Sequence, residues 1–142
     1  METKTLKTSA KKILFSISAI MMIFLFASCS NKAIFQPSQV VPAAKGYVKM
    51  KTDKNNNNVI QIEITNLAGV ERLQPEKESY VVWMLTDQDI TKNIGKLNSS
   101  RKLNASFETV TSFKPRKIFI TAENDENSQY PSQKIVLTTD NF

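Results

Sequence analysis

The sequence has no histidine, and its 142 residues include a single cysteine, Cys29. A Ser-His-Asp triad, a Cys-His dyad, a histidine-ligated metal site and an internal disulfide are therefore excluded, since each needs a side chain the chain does not have. The three glycines, Gly46, Gly69 and Gly95, stand singly, so no glycine-rich loop is present to cradle a phosphate. Hydrophobic residues make up 41% of the chain and charged residues 23%. That balance suits one ordinary globular domain.

What is present begins with an address. Lys4, Lys7, Lys11 and Lys12 precede an uncharged run of 14 residues, Ile13 to Phe26. A basic segment followed by an apolar one is the pattern of a secretory leader. The run is too short for a transmembrane helix, which needs about 20 residues to cross the hydrocarbon core. Phe26, Ala27 and Ser28 lead directly into Cys29. This resembles the lipobox of bacterial lipoproteins, in which the cysteine thiol is acylated and a signal peptidase cuts just before it. The resemblance implies recognition through Phe26, Ala27 and Ser28 and lipidation at Cys29. It departs from the family pattern at Phe26, where a leucine is usual. Ser30, rather than an acid, follows the cysteine, and by resemblance to bacterial sorting rules this points to the outer membrane of the cell envelope.

Cleavage before Cys29 removes 4 of the 19 basic and 1 of the 13 acidic residues, so half of the formal net charge of +6 belongs to the leader. The remainder carries no clustered basic patch, and nucleic acid is not an expected partner. The expected division is a lipoprotein signal peptide over 1–28, a lipid-anchored extended tether over 29–44 containing Pro37 and Pro42, and a folded domain over 45–142.

Within that domain the apolar residues recur with period two. Gly46 to Thr52 puts Val48 and Met50 on one face, and Val59 to Thr65 does the same with Ile60, Ile62 and Ile64. Asn55 to Asn58 between them tolerate left-handed backbone and predict a hairpin turn. Ser79 to Thr86 is apolar at five consecutive positions after Tyr80, as in a strand covered on both faces. Trp83 at its centre is expected to anchor the core, with its indole N–H needing a partner. Ile94 and Leu97 flank Gly95 in a short strand. Three further strands follow, with Leu103, Ala105, Phe107 and Thr109 facing inward in the first, Ile118, Ile120 and Ala122 in the second, and Ile135 and Leu137 in the third. Six to seven short strands without a helical segment predict an all-β fold, a single antiparallel sandwich of immunoglobulin-like type.

Asp87, Asp89, Glu123, Asp125 and Glu126 are the carboxylates considered for acid and base work. They fall in polar stretches, where a solvated carboxyl keeps its ordinary pKa and is no general acid near neutrality. Asp87-Gln88-Asp89 lacks the glycine and the distal glutamate of a calcium loop. No catalytic residue, metal or cofactor is expected.

Three stretches resemble the extracytoplasmic C-terminal domain of anti-sigma-K factors: Tyr80-Val81-Val82-Trp83-Met84, Asn93-Ile94-Gly95-Lys96-Leu97, and Phe119 to Glu123 ahead of Pro131. The resemblance implies a β-sandwich that senses or relays a signal in the envelope. The family's sigma-binding helical domain and transmembrane helix have no counterpart here, so direct contact with a sigma factor is not expected. The expected function is a non-catalytic, lipid-anchored envelope module with a protein partner, engaged through loops or a sheet edge. The alternative is a small-ligand or polysaccharide binder using Tyr47, Tyr80 and Tyr130 as its aromatic platform.

Overall fold

The computed structural model describes residues 31–99 and 103–142. The leader, its recognition residues Phe26, Ala27 and Ser28, and Cys29 lie outside the described residues. The described residues form nine strands: β1 (Asn31–Ile34), β2 (Lys45–Thr52), β3 (Asn58–Thr65), β4 (Ser79–Thr86), β5 (Thr91–Lys96), β6 (Asn98–Ser99), β7 (Ala105–Thr111), β8 (Pro115–Glu123) and β9 (Ile135–Thr138). A 3-10 turn, Val70–Arg72, interrupts the β3–β4 connection.

The strands form two antiparallel sheets, one in the order β1-β2-β3-β7-β6 and the other in the order β5-β4-β8-β9. With β1 set aside, the first sheet has the order ABED and the second the order CFG with one strand added beside C, which is the immunoglobulin-like arrangement. The all-β sandwich is thus the fold. Its core lies between the sheets. Val48, Ile60, Ile62 and Ile64 face Val82, Met84, Ile118 and Ile120, and all eight side chains are 1% exposed or less.

The β2–β3 hairpin keeps an unbroken register from Lys45 opposite Thr65 to Thr52 opposite Asn58. Its turn is built by Asp53, whose Oδ1 accepts from the N–H groups of both Asn55 and Asn57 at 2.8 Å. Asn56 takes the left-handed conformation at φ 65°, which asparagine tolerates better than most residues. β4 is covered on both faces, as its unbroken apolar run requires. β8 is covered on both faces too, with Phe119 and Thr121 buried on the face opposite Ile118 and Ile120.

The tether expected over 29–44 is corrected from Asn31 onward. β1 pairs with β2, Asn31 opposite Met50 and Ile34 opposite Tyr47. Phe35 then crosses to the other sheet, where it bridges Thr139, and the N–H of Gln36 donates to the carbonyl of Thr138 at 2.8 Å. Phe35, Val41 and Ala44 are buried in the main core. The segment closes one side of the sandwich. As an edge strand β1 buries no residue of its own, and so carries no period in its sequence.

Two inward assignments also change. A register shift between Ile120 and Thr121 lets Val136 and Leu137 both turn inward and leaves Ile135 45% exposed. Leu103 precedes β7 instead of belonging to it, at φ 60° and exposed.

Candidate functional site

The side of the sandwich closed by the Gln36–Val40 segment carries the most distinctive concavity. The 3-10 turn and the residues after it, Leu73 to Pro75, pass over the start of β9 and leave two adjoining lobes of about 350 and 690 Å3. Val40, Leu73, Gln74, Lys134 and Val136 line both. The smaller lobe has an apolar floor of Val40, Leu73, Pro75, Ala122 and Val136. The charged side chains on the lining are Arg72, Lys77 and Lys134, all cationic.

Local folding holds this cleft open. The Ser38 hydroxyl donates to the carbonyl of Val136 at 2.5 Å and accepts from the N–H groups of Val40 and Val41 at 3.1 and 3.0 Å. One side chain thereby fixes the wall to the outer edge of β9. Opposite it, the Lys134 ammonium donates to the Gln74 carbonyl at 3.3 Å and ties the rim to the covering loop. The Tyr80 hydroxyl donates to the Ala68 carbonyl at 2.8 Å and pins the connection that carries the 3-10 turn. Burial, with a smaller push from Glu71, raises the Tyr80 phenol to about 12. The arrangement suits a guest with an apolar body and an anionic group, which the floor and the cationic rim recognise separately.

The residues singled out from the sequence are placed elsewhere. Trp83 is fully buried, but not between the sheets. With Val81 and Phe119 it forms a second, smaller cluster on the outer face of the four-stranded sheet, its ring stacked on that of Phe119 with centroids 6.4 Å apart. The β8–β9 loop reaches across this face to β5, where the Asn93 amide donates to the carbonyls of Glu126 and Ser128 and the Lys96 ammonium pairs with Glu126 at 2.6 Å.

Glu123 is corrected from the polar loop in which the sequence placed it. It ends β8, is buried, and accepts from the Thr121 hydroxyl at 2.5 Å and the Ser132 N–H at 2.8 Å. The other carboxylates are spread out: Asp89 pairs with Arg116, Glu126 with Lys96, and Asp125 turns its own loop by accepting from the Asn127 N–H. Among the described residues no three acidic or thiol side chains converge.

The tyrosines do not converge either. Tyr80 is buried, Tyr47 lies under the Lys32 ammonium at 3.9 Å on the five-stranded sheet, and Tyr130 stands 85% exposed on the β8–β9 loop. An aromatic platform built from the three is not formed. Sequence reasoning missed the cleft because its residues come from three separated stretches, each unremarkable alone; the one local hint is Leu73-Gln74-Pro75, an apolar residue and a proline inside a polar connection.

Comparison of the chain with protein-family models, with curated proteins and with solved structures returns no match. The functional reading therefore rests on the residues themselves.

Proposed function

We propose that the chain is a non-catalytic lipoprotein of a bacterial envelope, anchored through Cys29 in the outer membrane, whose sandwich is a module for binding a protein partner or sensing a signal. In this reading the domain resembles the extracytoplasmic part of anti-sigma factors in role as well as architecture. The observation that carries it is the cleft between Val40, Leu73, Pro75 and Val136. It offers an apolar socket and a cationic rim, the combination that seats an aliphatic anchor next to a carboxylate on a partner loop.

One sheet edge is less available to a partner strand. The outer edge of β9 is engaged by Gln36 and Ser38. This favours docking at the cleft over strand addition at that edge.

The test is photo-crosslinking in intact cells from Gln74, which lines both lobes, against Gln129 on the β8–β9 loop. A discrete envelope protein captured from Gln74 alone supports the reading; recovery of the bait by itself from both positions counts against it. Metabolic labelling with a palmitate analogue tests the anchor, with label expected on the wild type and absent from Cys29→Ala.

A second reading, capture of a small amphiphile, is favoured by the enclosure of the smaller lobe, whose volume of about 350 Å3 falls inside the usual range for ligand pockets. A shift in melting temperature with a fatty-acid or acyl-phosphate panel, lost in Leu73→Arg, would select it over a protein partner. The polysaccharide version loses the platform of Tyr47, Tyr80 and Tyr130, which do not converge.

A further inference from the structure

The described chain enters the sheet at Asn31, two residues after Cys29. Two peptide steps span at most about 7 Å. Asn31 lies opposite Met50, three residues before the Asp53 turn, so β1 starts at the end of the sandwich that carries the β2–β3, β4–β5 and β7–β8 turns. If Cys29 carries the lipid, as proposed above, there is no length of chain to hold this end away from the bilayer.

The surface at this end suits that position. Ile90 on the β4–β5 turn, Phe113 on the β7–β8 turn and Phe142 are 44%, 41% and 40% exposed. Backbone hydrogen bonds hold the three near one another: Thr86 to Ile90, Asp87 to Lys114, and Phe142 to Arg116. The Lys92 ammonium lies 4.3 Å above the Phe113 ring, and Lys54 and Lys114 are exposed on the neighbouring turns. Of the carboxylates here, Asp53 is hydrogen-bonded within its own turn, Asp89 is paired with Arg116 and Asp140 accepts from the Gln36 amide, leaving Asp87 to stand against these lysines. Apolar side chains set among lysines are what an interface of anionic headgroups over acyl chains accepts.

We infer that the sandwich docks end-on against the bilayer that holds its anchor, through Ile90, Phe113 and Phe142 set between Lys54, Lys92 and Lys114. This inference rests on the lipoprotein reading. The cleft, built from the 3-10 turn and the start of β9, then stays accessible to the envelope space. The bilayer is the occupant because the chain delivers this end to it, whereas a partner protein would have to enter between the domain and its own anchor.

The test uses the full acylated chain reconstituted in vesicles of phosphatidylglycerol and acyl-brominated phosphatidylcholine. With Cys29 blocked by its lipid, single cysteines at Ser112→Cys, Ala43→Cys and Ile34→Cys take an environment-sensitive fluorophore. They report the docked end, the opposite end and the β1 edge. Quenching by the bromines is expected to be several-fold greater from Ser112→Cys than from the other two, and to fall to their level when Ile90→Ser and Phe113→Ser are added. Equal quenching at Ser112 and Ala43 on a chain whose mass shows the acylated Cys29 would overturn the docking and leave the anchor standing. So would stronger quenching at Ile34, or quenching at Ser112 that survives the two serine substitutions. A mature mass without acyl groups would overturn the anchor and the docking together.

Discussion

The indole N–H of Trp83 donates to the Thr121 hydroxyl at 2.7 Å, and that hydroxyl in turn donates to Glu123. The three side chains form a relay on the outer face of the four-stranded sheet, ending at the Ser132 N–H in the covering loop. Thr121 and Trp83 are both fully buried, so the indole N–H cannot turn to water instead. Replacing Thr121 with valine keeps the shape and removes the hydroxyl. The expected loss is about 1–3 kcal/mol, the cost of leaving a buried polar group unmatched. Urea unfolding followed by Trp83 fluorescence measures it; a loss indistinguishable from zero would mean that the loop does not seal this face.

Phe35 is 6% exposed in the main core, where a tether residue would be solvated. Phe35→Ala is therefore expected to destabilise the domain by about 3–5 kcal/mol, as other buried aromatic truncations do. Ile34→Ala, next to it but 71% exposed, should stay within about 0.5 kcal/mol of wild type. Thermal melts of the two variants decide whether the segment before β2 belongs to the fold.

The contrast between these neighbours shows where the sequence was legible. Ile60, Ile62 and Ile64 alternate with polar residues because one face of β3 is wet, and their inward direction follows. Val81 to Leu85 announce burial on both sides of β4, but a strand with no wet face carries no sign of which residues point between the sheets. Trp83 was legible as buried and not as facing outward. Glu123 read as part of a polar loop because burial of its carboxylate depends on Thr121 and Ser132, which only the fold brings to it. The cleft is the same problem enlarged: Val40, Leu73 and Val136 are far apart in the chain and share a surface only because Gln36 to Val40 cross from one sheet to the other.

Gly95 has φ +134°, a conformation L side chains rarely adopt, and a Cβ there would stand 2.9 Å from Cε2 of Phe107. Both the backbone and the ring of the opposite sheet oppose substitution. Gly95→Ala should cost about 1–3 kcal/mol. Phe107→Leu in the same chain relieves the contact and not the backbone, so a double-mutant cycle separates the two contributions. Full recovery in the double variant would mean that the conformation itself costs nothing.

The Asp53 carboxyl is held below its ordinary value of 3.8, chiefly by the N–H of Asn57 and then by that of Asn55. A lowered folded-state pKa adds stability that is complete above the ordinary value and disappears as the pH falls through the folded one. Asp53→Ala should therefore melt lower than wild type near neutrality, with the gap closing as the pH drops below 3.8. Melting curves from pH 2 to 7 read this directly; a gap constant across that range would show that the turn does not depend on the charged carboxylate.

Tyr80 gives the opposite slope at the other end of the scale. Its phenol is raised from 10.0 to about 12 because burial disfavours the phenolate. Below pH 10 both folded and unfolded chains hold the proton, and the residue adds no pH dependence. Between 10 and 12 the unfolded chain releases it while the folded chain keeps it, so stability falls as the pH rises. Tyr80→Phe removes the hydrogen bond to the Ala68 carbonyl and should cost about 1 kcal/mol at neutral pH. Above pH 10 its disadvantage should shrink and then reverse, since phenylalanine has no proton to lose. Chemical unfolding of both chains at pH 7, 10 and 11.5 tests this. Parallel stability curves would mean that the phenol reaches solvent on ionising, and that the connection carrying the 3-10 turn opens to let it.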